Sequence, residues 1–238
     1  LPRFEGPAAV VGGKLFTFSG FFQATREDHI LHATKQVHVY DPGMDRWQRL
    51  SDMPNAVTHL NPAVDGQFIW FAGGFMGDNP GPAIRSVWKY DVVSDSWTEG
   101  PSLPEARGSG GLVRVGRELH YIGGHYAANH EPAAGDHWML SLDTGTEWIR
   151  RAPLPVPRGH SGIIALEEKI YVLGGTLTHH PNYIDTDLVH VYDSKQDKWY
   201  AASSLPSPRS HFEPGTFSLN GRIYIVGGRD SQSKRLSE

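Results

Sequence analysis

The segment Ile170-Tyr-Val-Leu-Gly-Gly175 decides the fold of this chain, because it recurs at a nearly constant spacing. The other copies of this apolar run with its terminal glycines lie at residues 15–20, 68–74, 119–124 and 223–228. In the first copy Ser19 replaces the first glycine. The second glycines are 54, 50, 51 and 53 residues apart, and such a fixed period predicts an array of stacked supersecondary units.

Two further signals keep the same period. A Val-x-x-Tyr-Asp segment at residues 37–41, 87–91 and 189–193 leads to Trp47, Trp97 and Trp199, and a variant at 138–143 leads to Trp148. Each tryptophan is followed by Met-Pro or Leu-Pro, and an arginine follows at positions 107, 158 and 209. Three series in phase across the chain are specific, whereas a single Gly-Gly pair would not be.

This combination resembles the kelch repeat family over essentially all 238 residues. We expect one domain, 1–238, with repeats at about 2–54, 55–104, 105–155 and 156–206 and a partial repeat at 207–238. The fourth repeat predicts strands at 161–165, 170–173, 188–192 and 199–202, because its segments are β-branched and aromatic and are separated by polar turns. The fold class expected is therefore all-β, a kelch-type β-propeller of four-stranded antiparallel blades.

About 4.5 blades are present, and this number determines whether the outermost sheets have a neighbour to cover them. A single blade cannot bury both faces of its sheet, so neighbouring blades must stack, and radial stacking gives a propeller of typically 4–8 blades. An open stack would expose apolar faces and edge strands. We therefore expect further propeller blades in the same chain, in a ring of six or seven.

Composition excludes several classes of function. Hydrophobic residues make up 39% and charged residues 20%, as in a soluble globular domain. The net charge of −4 argues against a nucleic-acid partner, and no apolar run is long enough for membrane insertion. The absence of cysteine excludes disulfides, thiol catalysis and cysteine-ligated metal. Because residue 1 is Leu, the sequence resembles a mature or excised segment, and an extracellular or periplasmic location is favoured over a cytoplasmic one.

Strand direction predicts one functional face. The loops between blades and the long loops after strand two, residues 21–36, 75–86, 125–136 and 176–187, share that face, and long loops on a rigid scaffold commonly bind ligands. In kelch proteins that this chain resembles, the residue after Gly-Gly and those opening strand one often line the binding mouth. The matching residues, our candidate ligand-binding face, are Phe21, Phe75, His125, Thr176, Arg229, His59, Arg107, Arg158, His160, Arg209, His211 and Glu213.

Each of these candidates also has a structural interpretation. Arg158 and Arg209, at blade junctions, would bond to backbone carbonyls of the neighbouring blade, and the recurring His59, His160 and His211 would be part of the repeat architecture.

The 13 histidines raise the question of a metal site. Six lie in the long loops, at positions 29, 32, 125, 130, 179 and 180, but no pair has a recognised ligand spacing, so no metal and no other cofactor is predicted. His137 is expected to open strand three with a neighbouring carboxylate as its partner.

The resemblance also brings two enzyme classes into view. Copper radical oxidases with a kelch-like domain need a cysteine crosslinked to a tyrosine, and this chain has no cysteine. A sialic-acid mutarotase would need an acid–base pair, for which Glu5 and Glu213 are candidates, although both carboxylates also fit a structural role. We assign no catalytic residue. The function expected is a non-catalytic recognition module for a carbohydrate or a protein, with a sugar-modifying enzyme of the mutarotase or epimerase kind, or a structural spacer in a multidomain extracellular protein, as alternatives.

Overall fold

A computed structural model describes residues 2–23, 29–127, 133–178 and 183–230. His130, His179 and His180, which the sequence placed in long loops, lie outside the described residues. Four antiparallel sheets of four strands follow one another along the chain, and a two-stranded sheet begins a fifth unit. We number these sheets as blades one to five. Within the described ranges no helix is both long and apolar enough to cross a membrane.

In each blade the strands lie side by side in chain order, from strand one at the inner edge to strand four at the outer edge. Blade one contains Ala8–Val11, Lys14–Phe18, Val37–Asp41 and Arg46–Leu50. Blade two contains Ala63–Asp65, Phe68–Ala72, Val87–Asp91 and Ser96–Glu99. Blade three contains Gly111–Val115, Glu118–Ile122, His137–Ser141 and Ile149–Arg150. Blade four contains Gly162–Leu166, Lys169–Leu173, Val189–Asp193 and Lys198–Ala202. Blade five begins with the 3-10 turn Glu213–Gly215 and the strands Thr216–Leu219 and Arg222–Ile225.

The predicted four-stranded antiparallel blade is confirmed, and the fourth repeat differs from its prediction by one residue at several strand ends. Short strands extend the long loops. They pair Phe21–Phe22 with His32–Ala33, Val57–Thr58 with Phe75–Met76, and Thr176–Thr178 with Ile184–Asp185.

The core lies between blades rather than inside any one of them. Phe16 and Phe18 of blade one pack against Phe71 and Tyr90 of blade two, with the rings of Phe18 and Phe71 4.7 Å apart and edge to face. The middle strands are apolar on both sides because both of their faces are covered, which is why their sequences read as short hydrophobic runs rather than as an alternation.

The repeated tryptophan joins each blade to the one before it. The indole N–H of Trp148 donates to the carbonyl of Pro101 at 2.7 Å, and that of Trp199 donates to Ala152 at 2.8 Å. Trp97 repeats the contact on Ser51 at 3.3 Å. Trp47 occupies the same position in blade one and is 52% exposed.

The Gly-Gly pairs allow blades to approach each other closely. A Cβ atom on Gly123 would lie 2.5 Å from the carbonyl oxygen of Arg158, and one on Gly174 would lie 2.6 Å from that of Arg209, so side chains are excluded at both positions. In blade one Ser19 stands at this position with φ 48°, and its hydroxyl oxygen lies within hydrogen-bond distance of the carbonyls of Thr34 and Val57, either of which can accept its one hydrogen. The serine therefore supplies a side-chain contact to blade two where other blades use glycine.

Two buried histidines of blade three face blade four, where both rings contact Tyr192. Nδ1 of His137 lies 3.1 Å from the carbonyl oxygen of Ala152, which can only accept, so this nitrogen carries the hydrogen. Nε2 of His137 then accepts from Nδ1 of His120 at 2.9 Å. His137 does open strand three, as predicted, but its hydrogen-bond partners are a carbonyl and a histidine, so the predicted carboxylate partner was wrong.

Burial lowers the pKa of His120 to about 3 and that of His137 to about 4. The charged groups around the pair are Glu118, Arg151 and Asp197. The folded protein therefore keeps both imidazoles neutral at pH values where a solvated histidine is protonated.

The tryptophan contacts predict unequal effects of one substitution at equivalent positions. We expect Trp148→Phe to lower the free energy of unfolding by ~2 kcal/mol, because a buried carbonyl loses its donor and packing is lost. Trp47→Phe should change it by no more than about 0.5 kcal/mol, because that side chain is half exposed. Urea unfolding followed by far-UV circular dichroism measures both, and equal losses would contradict this account of the blade junction.

The histidine pair predicts a loss of stability in mild acid. The unfolded chain protonates these histidines near pH 6.5 and the folded chain does not, so the unfolding free energy should fall by about 2 kcal/mol per histidine between pH 6.5 and pH 5. His120→Phe should remove the share of His120 and leave that of His137, whereas His29→Gln, at an exposed position, should leave the dependence unchanged. Urea titrations at pH 7, 6 and 5 give the slopes, and a His120→Phe slope equal to that of the wild type would refute the assignment.

Candidate functional site

One position of the repeat, at the start of each blade, forms the axis of the molecule. It is occupied by Glu5, His59, Ser109, His160 and His211. The backbone N–H of each of the last four donates to the carbonyl of the preceding member, at 3.2, 3.2, 2.9 and 3.1 Å in that order. This series of hydrogen bonds, the axial chain, brings side chains from all five blades together, although they lie about fifty residues apart in sequence.

All five axial residues have a left-handed backbone. Their φ angles are 54°, 58°, 52°, 51° and 57° in chain order. Glycine adopts this conformation at least cost, and a non-glycine residue held there costs on the order of 1 kcal/mol or more. Five consecutive non-glycine residues at such a position indicate that their side chains have a role that glycine would not serve.

The axial histidines pack ring against ring around His160. The ring of His211 stacks on that of His160, with centroids 3.8 Å apart and planes 13° apart. The rings of His59 and His125 lie 5.2 and 5.6 Å from the same ring. Burial, and to a lesser extent the nearby His160 and His59, lower the pKa of His125 to about 3.

Two carboxylates face the histidines. Oε1 of Glu213 lies 3.1 Å from Nδ1 of His160, and Oε2 of Glu5 lies 3.9 Å from Nε2 of His59. Burial raises the pKa of Glu213 to about 7, although the nearby His59 and Arg229 oppose that rise. Glu5 is the counterpart of His211 in its repeat, two positions before the counterpart of Glu213, so the two carboxylates come from different repeat positions.

Phe21 and Phe75 form an aromatic wall beside His59. Their ring centroids lie 5.9 and 5.2 Å from that of His59, and both meet it edge to face. Both phenylalanines are almost fully buried, at 1% and 2% exposure. The residue after each Gly-Gly pair forms an antiparallel bridge with a residue at the start of a blade, such as Phe4 with Phe21, which turns its side chain into the molecule.

The structure therefore brings together eight of the twelve candidate residues. Around the axis lie Phe21, Phe75, His125, His59, His160, His211, Glu213 and Arg229. The guanidinium of Arg229 lies 3.9 Å from the ring centroid of Tyr183 and acts on the pKa of Glu213.

The other four candidates are engaged within blades. Arg158 donates to the carbonyls of Gly174 and Val172 at 2.7 and 3.1 Å, which belong to its own repeat and not to the neighbouring blade that the structural interpretation expected, and burial lowers its pKa to about 10. Arg209 donates to Ser207 Oγ, and Thr176 donates to Asp185 Oδ1 at 2.8 Å.

Arg107 contacts two carboxylates and a tyrosine ring. It pairs with Glu105 at 2.8 Å and with Asp136, and its guanidinium carbon lies 3.7 Å from the ring centroid of Tyr126. Because Arg107 itself is 1% exposed, it fixes Tyr126 from below and leaves the tyrosine ring at the surface.

Sequence reasoning missed the residues that face solvent on the predicted face. Exposed apolar side chains there belong to Phe4, Ile30, Met76, Tyr126 and Ile184, at 46%, 44%, 39%, 43% and 50%. Met76 and Tyr126 each directly follow a buried residue that was a candidate, Phe75 and His125. The alternation of side chains along a strand is the signal that could have found them.

A cleft of about 420 Å³ lies on the open side of blade one. Its lining includes Arg3, Phe18, His38 and Trp47. Arg3 bonds to the carbonyls of Ser19 and Gln36 and to His38, just as Arg158 bonds to carbonyls and to His190 in blade four. The cleft is therefore a blade face that no neighbouring blade covers among the described residues.

Comparison with known proteins places this architecture in a family. The family described as "Kelch motif" matches residues 65–104 and 157–206. Kelch-like protein 35 of Mus musculus is 28% identical over 205 residues, which is 86% of this chain and 33% of that protein. Kelch-like protein 23 of Homo sapiens is 30% identical over 83% of this chain and 34% of its own length. Alpha-scruin of Limulus polyphemus is 27% identical over 97% of this chain and 25% of its own length.

A solved structure agrees with the fold. YjhT superposes with a TM-score of 0.85 over 100% of this chain and 80% of its own, at 16% sequence identity, so this likeness concerns the fold alone. The chain spans about a quarter to a third of the length of the three curated relatives named above. From the in-phase glycine and tryptophan series, the four-stranded blades and these matches, the chain belongs to the kelch-repeat family and has the β-propeller fold.

Proposed function

We propose that this chain is a protein-recognition module that binds its partner on the long-loop face, the surface formed by the blade starts and by the loops after strand two. The observation that carries the proposal is the set of exposed apolar side chains defined above, which come from four blades and lie on this one face. Exposed apolar residues gathered on one surface mark interaction sites, and Tyr, Met, Phe and Arg are enriched where proteins meet.

The face is also held in place before any partner arrives. Asp78 and Asn79 of the second long loop accept hydrogen bonds from the backbone N–H groups of Ala33 and Leu31 in the first, at 2.8 and 2.7 Å. The N–H of Asn79 donates back to the carbonyl of Leu31 at 3.0 Å. A surface that is already ordered loses less conformational entropy on binding, which favours affinity.

The axis supports a small-molecule ligand less well. The pocket beside Glu5, His59 and Glu213 encloses about 10 Å³. Pockets for small organic ligands measure roughly 300–1,000 Å³, so a sugar ring would need the axis to open. A protein partner on the exposed rim needs no such rearrangement. The raised pKa of Glu213 is the one feature that favours the alternative, a sugar-modifying enzyme.

Photocrosslinking of the full-length protein in its source cells tests the proposal. A photoreactive phenylalanine derivative at Tyr126 should yield one dominant crosslinked protein, and the same group at Val93, 74% exposed in a turn at the opposite end of blade two, should not. Met76→Glu should abolish the Tyr126 product by placing a charge in the apolar surface, and Val93→Glu is the matched control.

Four outcomes would contradict the proposal. Equal products from both positions would show that crosslinking does not depend on the face. No product from Tyr126 would favour a structural spacer. Binding to a glycan array that is lost with Met76→Glu would replace the protein partner with a carbohydrate, and sugar anomer exchange that slows with Glu213→Gln would replace recognition with catalysis.

A further inference from the structure

We propose that Glu5, His59 and His160 form a binding site for a divalent transition-metal ion of the zinc class on the propeller axis. One ligand atom from each of these residues, a carboxylate oxygen or an imidazole nitrogen, lies within 4.8 Å of the other two. The three residues come from blades one, two and four, so only the folded chain assembles them.

The distances require a small contraction around an ion. Ligand atoms bound at ~2.0–2.2 Å to one tetrahedral ion lie roughly 3.3–3.6 Å apart. Oε2 of Glu5 and Nε2 of His59 are already 3.9 Å apart. Glu5 has the most exposed side chain of the three, at 26%, against 10% for His59 and 2% for His160. A rotation of the Glu5 side chain can therefore bring its carboxylate to the distance that a shared ion requires.

Both histidines are oriented for this role through their other ring nitrogen. Nδ1 of His160 lies 3.1 Å from Glu213, and Nδ1 of His59 lies 2.8 Å from Oγ1 of Thr58. At His59 the ring nitrogen that would bind the ion is therefore Nε2, the atom that already faces Oε2 of Glu5. Metal-binding histidines characteristically bond through the second nitrogen to a carboxylate or another polar group, which fixes the tautomer and the ring orientation.

The surroundings match an ion in size and in charge. Beside the cluster lies a pocket of about 10 Å³ that is lined by Glu5, His59, Asn61 and Glu213 but not by His160, and this is approximately the space that one water molecule or one ion requires. Two carboxyl groups border it, and the positive charge of an ion would favour the ionised form of both. Two imidazoles in the ligand set favour zinc and similar metals over Mg²⁺ and Ca²⁺, which prefer oxygen ligands.

Stacking restricts the imidazole of His160 further. The ring of His211 lies parallel to it at 3.8 Å, and Phe75 bounds His59 at 5.2 Å. The left-handed backbone at Glu5, His59 and His160 aims the three side chains at the axis, and the proposed ligand set gives this strained conformation a purpose.

Isothermal titration of the full chain with zinc chloride, after treatment with a chelator, tests the site. We expect one equivalent to bind. Glu5→Gln should weaken binding at least ~10-fold by removing a charged ligand, and Glu213→Gln should weaken it about 10–100-fold by releasing His160. His29→Gln, an exposed histidine of the first long loop, is the control and should bind as the wild type does.

Cobalt(II) supplies a second readout, because a tetrahedral site gives visible absorption bands that should vanish in Glu5→Gln. His59→Asn serves as the second ligand variant if Glu5→Gln does not fold, judged by its far-UV circular dichroism. The inference is overturned if the wild type binds no zinc at about 100 μM, or if Glu5→Gln, or His59→Asn in its place, binds as tightly as His29→Gln. No partner protein enters this experiment, so its failure leaves the recognition proposal standing.

Discussion

The axial chain of hydrogen bonds is the constraint on which the rest of this structure depends. Each blade donates one backbone N–H to the carbonyl of the blade before it, from His59 to Glu5 and onward to His211. The left-handed φ at these residues turns the chain into strand one and at the same time directs the side chain inward. Geometry at one residue per repeat thus sets both where a blade begins and what the axis contains.

The glycine pairs and the tryptophans also join successive blades, at points further from the axis. Near the axis, Gly124 donates its N–H to the carbonyl of Arg158 in the next blade, at a distance that leaves no space for a side chain on Gly123. Further out, Trp199 reaches back to the carbonyl of Ala152. Each junction is therefore fixed at an inner and an outer point, and the hydrophobic contacts between sheets fill the space between them.

The sequence was sufficient for the blade architecture because glycine and tryptophan mark chain positions that have few alternatives. It also identified most of the residues that meet at the axis. It did not reveal that Phe21 and Phe75 are buried, since their direction depends on bridges to Phe4 and Thr58, and those contacts leave no local pattern. For the same reason the proximity of Glu5, His59 and His160 could not be read from spacing, because these residues come together only when the blades stack.

The hydrogen bonds from each indole to the preceding repeat also determine which gene rearrangements this fold tolerates. Trp97, Trp148 and Trp199 each bond to a carbonyl 46 or 47 residues earlier, so the two halves of every junction belong to successive repeats. Gain or loss of one entire repeat leaves a tryptophan facing a suitable carbonyl, whereas an insertion of half a repeat does not. Duplication in whole repeats is therefore the genetic change that this architecture tolerates, and the axial residue of a new blade is then open to selection without disturbing the junctions around it.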